Sequence, residues 1–471
     1  MRVNDSQPLF EALRKVADAG VAEAIEHVVT SGADRDLARV NVLAFAAVHG
    51  LDEERAIGAF LHAAQLGIFE LSWDVVCPTC LGVLDVTKTL RDVHNAPYEC
   101  PLCSRSFEVS LDEMVEIVFT VSPRVRKIAA HDPQTLPFWD YYRQVFWSSA
   151  VDLSDEGLVR LIAEFTLDAR VLEPDEEATV TIELPEGWVI LFEPVSHFGH
   201  YMKVASERAP EVQKLALAFT PVQVPTETTP LKSGPLRLTI ANRTAIRVFP
   251  VVWIENRDFD QLVGKRRPNL TAKRIFTNQT FRDLYRTDTL AVDQGLKILS
   301  LTFLFTDLKG STELYARVGD LVAYELVRRH FHLLNEIAAA EGGAVVKTIG
   351  DAVMATFPTP DRALKAALRM RDAIGAVGSE TRHEDLLLKI GIHEGPCLAV
   401  MLNDRLDYFG QTVNIAARVQ ALASSRAIFA TKPVIEQPQS AAQLAAAGVT
   451  PRLQRAVLKG VAGEVPVYEI P

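Results

Sequence analysis

Four of the five cysteines in this chain fall into two tight pairs, Cys77-Pro-Thr-Cys80 and Cys100-Pro-Leu-Cys103. A Cys-x-x-Cys turn aims two thiolates at one point. Two such turns supply four sulfurs, the closed tetrahedral set of a structural zinc ion. That demand bends residues 73–112 into two knuckles joined by a hairpin excursion through residues 81–99, the outline of a zinc ribbon. Four sulfurs leave no open coordination position, so the expected role of Cys77, Cys80, Cys100 and Cys103 is architectural. A thioredoxin-like redox role would need only one pair. Five cysteines in 471 residues are too few for a disulfide framework.

The remainder divides by periodicity. Residues 1–72 read as helical, with Leu37, Val40, Leu43 and Ala46 at helical spacing. Two readings stand there, a winged-helix-like unit and a small helical docking domain. Residues 113–154 form a connector whose PFWDYYRQVFW run predicts a buried helix. Residues 155–260 change to strand alternation. Val180, Ile182 and Leu184 alternate with Thr179, Thr181 and Glu183, and Leu236, Leu238 and Ile240 alternate with polar or small neighbours. An antiparallel β-sandwich is expected. His197 and His200 lie there far from the cysteines in sequence, and a structural role is favoured over metal ligation. Residues 261–297, basic at first, read as a linker. The expected class is therefore multidomain α+β.

A net charge of −11 argues against a nucleic-acid partner bound through phosphates. No apolar run approaches the ~20 residues that cross a bilayer, and the first residues, MRVNDSQPLFEAL, lack the apolar core of a signal peptide. A cytoplasmic location is the expectation.

From residue 298 onward the pattern carries chemistry. LTFLFTDLKGS is an apolar strand that delivers Asp307 ahead of a small-residue turn. There a carboxylate can bind Mg²⁺, and the amides near Leu308, Gly310 and Ser311 can face phosphates at a helix start. A helix follows with Ala323, Val327, Phe331, Leu334 and Ile337 on its core stripe. AVVKT and AVMATF then flank Ile349-Gly350-Asp351, a hairpin with a carboxylate at its tip. Cys397, in the next pair of strands, reads as a small core residue. In DYFGQTVNIAAR, Asn414 and Arg418 are four apart and share a helix face. Lys459 sits in a glycine-containing turn before the last strand. Each motif alone also suits a cap, a turn or a surface charge.

Together, FTDLKGS, KTIGD, DYFGQTVNIAAR and LKG…VPVYEI resemble class III adenylate and guanylate cyclases, in the order that family shows. The preceding module resembles those attached to bacterial cyclases. The resemblance implies a ferredoxin-like βαββαβ catalytic domain over 298–471. It implies two Mg²⁺ or Mn²⁺ ions per site on Asp307 and Asp351, purine selection by Lys347 and Asp407, and ribose and transition-state contacts from Asn414 and Arg418. Lys459 would meet the terminal phosphates. A lysine donor and an aspartate acceptor complement adenine, so the implied reaction is ATP to cyclic AMP and pyrophosphate. Guanine-selective members use other residues at these two positions. The resemblance further implies a head-to-tail homodimer whose two sites each draw residues from both copies. The alternatives are a guanylate cyclase, a cyclase of relaxed base choice, or a silent nucleotide-binding regulator. The N-terminal region would receive an unknown regulatory ligand or protein.

Overall fold

The computed structural model describes residues 6–222, 226–285, 290–291, 294–309, 319–380, 387–423, 427–461 and 463–471. These residues divide into two units. The first holds 1–88, 96–109 and 113–270, and the second 89–95, 110–112 and 271–471.

Helices α1 (Gln7–Val16), α2 (Ala19–Ser31), α3 (Val42–His49) and α4 (Glu53–Gln65) open the first unit. Their starts are set by side chains: Asp18, Asn41 and Asp52 accept hydrogen bonds from amides of the first turns of α2, α3 and α4. Strand β1 (Phe69–Val76) follows, flanked by β2 (Val83–Thr87) and β5 (Val115–Val121), both antiparallel to it. Strands β3 (Tyr98–Cys100) and β4 (Arg105–Phe107) form a separate hairpin that carries the second cysteine pair at its turn. The aromatic run is helical as expected over Phe138–Tyr141, then widens into a π turn over Tyr142–Phe146.

The middle strands are β6 (Thr166–Ala169), β7 (Glu177–Leu184), β8 (Gly187–Glu193), β9 (Phe198–Arg208), β10 (Gln213–Phe219), β11 (Glu227–Asn242) and β12 (Val251–Glu255). They pair in the order β10-β11-β9-β8-β12-β6, with β7 also on β11. This corrects the all-antiparallel expectation, because β11 runs parallel to both β9 and β10. Alternation reports which face of a strand is buried and says nothing of its direction. At 16 residues β11 is long enough to serve β9 with its first half and β7 and β10 with its second.

The expected linker over 261–297 is also corrected. Short helices occupy Ala272–Phe276 and Gln279–Leu284, started by Thr271 and Asn278 caps. They bury Ile275, Phe276 and Phe281 almost completely. Basic residues between the apolar ones hid that spacing.

The catalytic-domain expectation is met in the second unit by strands β13 (Leu296–Lys309), β14 (Ala344–Ile349), β15 (Ala352–Phe357) and β16 (Leu387–Leu402), with helices α5 (Asp320–Ala340) and α6 (Pro360–Glu380). Their order, β14-β15-β13-β16, with every neighbour antiparallel, is the ferredoxin-like arrangement. Strands β17 (Arg405–Phe409), β18 (Ile428–Thr431), β19 (Arg452–Val457) and β20 (Glu464–Ile470) extend the sheet beyond β16, and helix α7 (Gln411–Ala421) packs on β16 and β13. Leu304, Leu334, Phe357, Leu364, Met370 and Ile392 share one buried core. Truncating a fully buried ring such as Phe357 to Ala would cost about 3–5 kcal/mol. Among the described residues no helix is long and apolar enough to cross a membrane.

Candidate active site

Asp307 lies near the end of β13, where the ladder to β16 sets Asp307 opposite Lys389. The Lys389 Nζ stands 3.7 Å from Asp307 Oδ2. The ladder to β15 pairs Thr306 with Val353 and so brings the β14–β15 turn to the same end of the sheet. Gly350 makes that turn at φ +64°, a conformation that suits a residue without Cβ, and Asp351 follows it. Burial and the neighbouring Asp351 charge push the Asp307 carboxyl above its ordinary pKa, against the pull of Lys389. Asp351 Oδ2 is buried with no hydrogen-bond partner. Two crowded carboxylates, one with an unpaired oxygen, fit hard divalent cations, which take oxygen ligands and cancel the repulsion.

His330 stands behind this pair. It lies on the buried stripe of α5 with both ring nitrogens unpartnered. Burial lowers its pKa to about 4, against the attraction of Asp351. Neither His330 nor Lys389 belonged to the expected set. A polar residue on an apolar helical stripe was the available sign of His330. Lys389 is visible only through strand register.

Lys347 of β14 and Asp407 of β17 meet directly, the lysine Nζ donating to Asp407 Oδ2. Asp407 is buried and also accepts the Tyr408 amide at 2.8 Å, which fixes its carboxylate; the lysine side chain is 40% exposed. The pair thus presents a donor and an acceptor side by side at an accessible edge.

Asn414 and Arg418 lie on α7. That helix approaches β16 so closely that a Cβ on Gly391 would come within 2.1 Å of the Gln420 nitrogen, and one on Gly395 within 2.8 Å of Thr412 Oγ1. These two glycines set the height of the helix over the sheet and so the reach of its side chains. Arg418 lays its guanidinium over Gly460, with both terminal nitrogens 3.4 Å from where a Cβ would stand. Lys459, beside that glycine, is exposed.

Three groups are therefore assembled within one chain: Asp307 with Asp351, Lys347 with Asp407, and Arg418 with the Lys459 turn. β13 continues to Lys309, and Leu308 pairs with Leu388 and buries its side chain in the core. Gly310 and Ser311 lie outside the described residues.

The four cysteines also converge. Cys77 and Cys103 stand 3.8 Å apart, Cys80 and Cys100 3.6 Å apart, and all four sulfurs lie within 4.8 Å of one another. His200 instead pairs with Thr229.

Residues 297–460 match the family model described as the adenylate and guanylate cyclase catalytic domain. An adenylate cyclase of Mycosarcoma maydis is 33% identical over 159 residues, 30% of this chain and 6% of that protein. Adenylate cyclase 2 of Rhizobium meliloti is 32% identical over 132 residues, 26% of this chain and 36% of that protein. Retinal guanylyl cyclase 1 of Mus musculus is 32% identical over 133 residues, 26% of this chain and 12% of that protein. The chain spans well under two thirds of the length of each of these relatives. Among solved structures, the adenylyl cyclase CyaB from P. aeruginosa is 22% identical, with 38% of this chain and 96% of that chain covered and a TM-score of 0.34. A second family model, of unknown function, matches residues 3–283. Matched over more than half its length, the chain belongs to that family, DUF5939, and its C-terminal region is an adenylate and guanylate cyclase catalytic domain.

Proposed function

We propose that the chain converts ATP to 3′,5′-cyclic AMP and pyrophosphate in sites completed by two copies. The observation that carries the choice of ATP is the contact between Lys347 and Asp407. Adenine offers an acceptor at N1 and a donor at its 6-amino group, which the lysine and the aspartate complement. Guanine reverses both polarities and would leave the lysine and the aspartate unmatched.

Asp307 and Asp351 would hold two Mg²⁺ or Mn²⁺ ions. Bound there, the ions would ease ionisation of the attacking 3′-hydroxyl and offset charge on the departing pyrophosphate. Arg418 would donate fixed hydrogen bonds to the α-phosphate oxygens as charge builds on them. Asn414, one turn earlier on the same helix, would orient the ribose. Lys459 would attract the terminal phosphates, and the amides of Leu308, Gly310 and Ser311 would add donors. In this reading Lys347, Asp407, Asn414, Arg418 and Lys459 of one copy face Asp307 and Asp351 of the other. Exposed apolar side chains of the same unit support a second copy: Leu321 is 83% and Phe409, two residues after Asp407, 67% exposed. A reducing, cytoplasmic setting, in which a cluster of four cysteines stays open to a metal, is part of this reading. The first unit would carry the regulatory input from an unknown ligand or protein.

The test is complementation. Neither Asp307→Ala nor Arg418→Ala should make cyclic AMP alone, and mixing the two should restore one working site per heterodimer. A mixture that forms heterodimers and stays inactive sinks the shared site. A second reading, guanylate cyclase, is favoured by the similarity to retinal guanylyl cyclase 1. Competition between ATP and GTP with Mg²⁺ and with Mn²⁺ separates the two.

A further inference from the structure

We propose that Cys77, Cys80, Cys100 and Cys103 hold one zinc ion, and that this ion braces the strand carrying Asp307 through the two stretches of chain it ties down.

The first half rests on the sulfurs. A tetrahedral site with Zn–S bonds of about 2.3 Å sets its sulfurs about 3.8 Å apart. The pairs that stand together here, Cys77 with Cys103 and Cys80 with Cys100, are at 3.8 and 3.6 Å. These separations are far beyond the ~2.05 Å of a disulfide. Each pair is built the same way. The residue after its second cysteine, Leu81 or Ser104, takes a left-handed conformation, with φ +59° and +50°. In the first pair the Thr79 amide points to Cys77 Sγ at 3.4 Å. The site is walled by the buried rings of Tyr142, Phe146 and Trp147, and Leu102 is held by the Tyr201 hydroxyl at 2.6 Å. Four soft sulfurs in one closed set, three of them on buried cysteines, select zinc over hard cations.

The second half follows the chain outward from the site. Residues 89–95 lie between the two cysteine pairs, and residues 110–112 follow the second pair. Both stretches belong to the catalytic unit. Gln294, just before β13, donates to the carbonyls of Leu90 at 3.2 Å and Val93 at 2.7 Å. The Leu111 amide donates to the Lys297 carbonyl, and the Lys273 amide to that of Leu111, both at 2.9 Å. Asp112 has the sharpest task. The β13–β16 ladder slips between Ile298 and Leu301, which takes Leu299 and Ser300 out of register. Asp112 accepts the amides of those two residues, at 2.5 and 3.3 Å, and Lys273 steadies it from 3.2 Å. A carboxylate from the cysteine-bearing segment thus replaces the missing strand partner near the base of the strand that carries Asp307. With the knuckles open, both anchors lose their tether.

The zinc content is independent of the cyclase reading; the effect on rate rests on it. Metal analysis of the full-length protein should give one zinc per chain. Iron in its place, or no metal with four titratable thiols, overturns the site. Releasing the zinc with a mercurial should lower hydrogen-exchange protection of residues 296–305 by about tenfold or more, with no nucleotide present, and re-addition of zinc should restore it. Unchanged protection overturns the brace whatever the enzyme makes. Asp112→Asn should keep its zinc, lose protection in the same residues and slow nucleotide turnover several-fold. If that variant matches the parent in both protection and rate, the brace is wrong. Cys100→Ser/Cys103→Ser should behave as the zinc-stripped protein does; should it not fold, the mercurial experiment stands in its place.

Discussion

Two polar clusters, one buried in the first unit and one half-buried in the second, are built on opposite terms. In the first unit Glu116, 1% exposed, receives Arg39, the Ser148 and Ser149 hydroxyls, the Ser149 amide and Asn269. Arg39 also binds Asp74 and the carbonyls of Val145 and Trp147. Apart from Asp74 Oδ1, each charge there has its partners. In the second unit Asp307 and Asp351 crowd one another, Asp351 Oδ2 has no partner, and His330 has none at either nitrogen. A satisfied buried cluster holds a fold together. An unsatisfied one costs stability and persists where a ligand supplies what is missing. The difference assigns one cluster to architecture and the other to chemistry, and substitutions can break that contrast.

The largest effect is expected in the satisfied cluster. Glu116→Ala strips Arg39 of one of its two carboxylates and leaves four donors unpaired. It should destabilise the first unit by about 3–5 kcal/mol in denaturant unfolding. A loss below about 1 kcal/mol would mean that water reaches the cluster and that it is no keystone. Next comes Arg418→Ala, which should lower kcat by about 10²–10³ with little change in stability, since its guanidinium lies over a glycine and is partly exposed. A drop in melting temperature equal to that of Glu116→Ala would erase the distinction. Asp407→Asn should act more weakly. Its amide can both accept and donate, so the preference for ATP over GTP in kcat/KM should fall by roughly tenfold to a hundredfold. An unchanged ratio removes Asp407 from base choice.

These clusters were unequally legible. Asp307, Asp351, Lys347, Asp407, Asn414 and Arg418 each sit in a short motif whose strand or helix pattern is local, and the cysteine spacing is local too. Glu116 and Lys389 depend on partners far away in sequence, and nothing nearby distinguishes them from surface charges; His330 shows only as a polar residue on an apolar helical stripe. Arg39 binds Glu116 across 77 residues, and Lys389 reaches Asp307 only through the β13–β16 register. The parallel runs of β9, β10 and β11 were hidden for the same reason, since direction is a property of pairing. So was the membership of residues 89–95 and 110–112 in the catalytic unit. Their sequence belongs to the cysteine hairpin, and their contacts belong to Gln294, Lys273 and β13.

The smallest effect tests the cost of the unsatisfied cluster itself. Burial and the Asp351 charge hold the Asp307 carboxyl above its ordinary value. Between the unfolded value, about 3.9, and the raised folded value, the native chain keeps a proton that the unfolded chain has released. Stability therefore falls as pH rises through that window and stays lower above it. Asp307→Asn removes the charge. In the metal-free state at neutral pH the variant should melt slightly higher than the parent, while losing Mn²⁺ binding followed by electron paramagnetic resonance. The gain should fade as pH drops through the window, because the protonated carboxyl and the amide are then alike in charge. Partial exposure of Asp307 keeps the effect small, as water screens the repulsion. A variant that is less stable at neutral pH would show that Lys389 already compensates the carboxylates. The second cluster would then be as satisfied as the first.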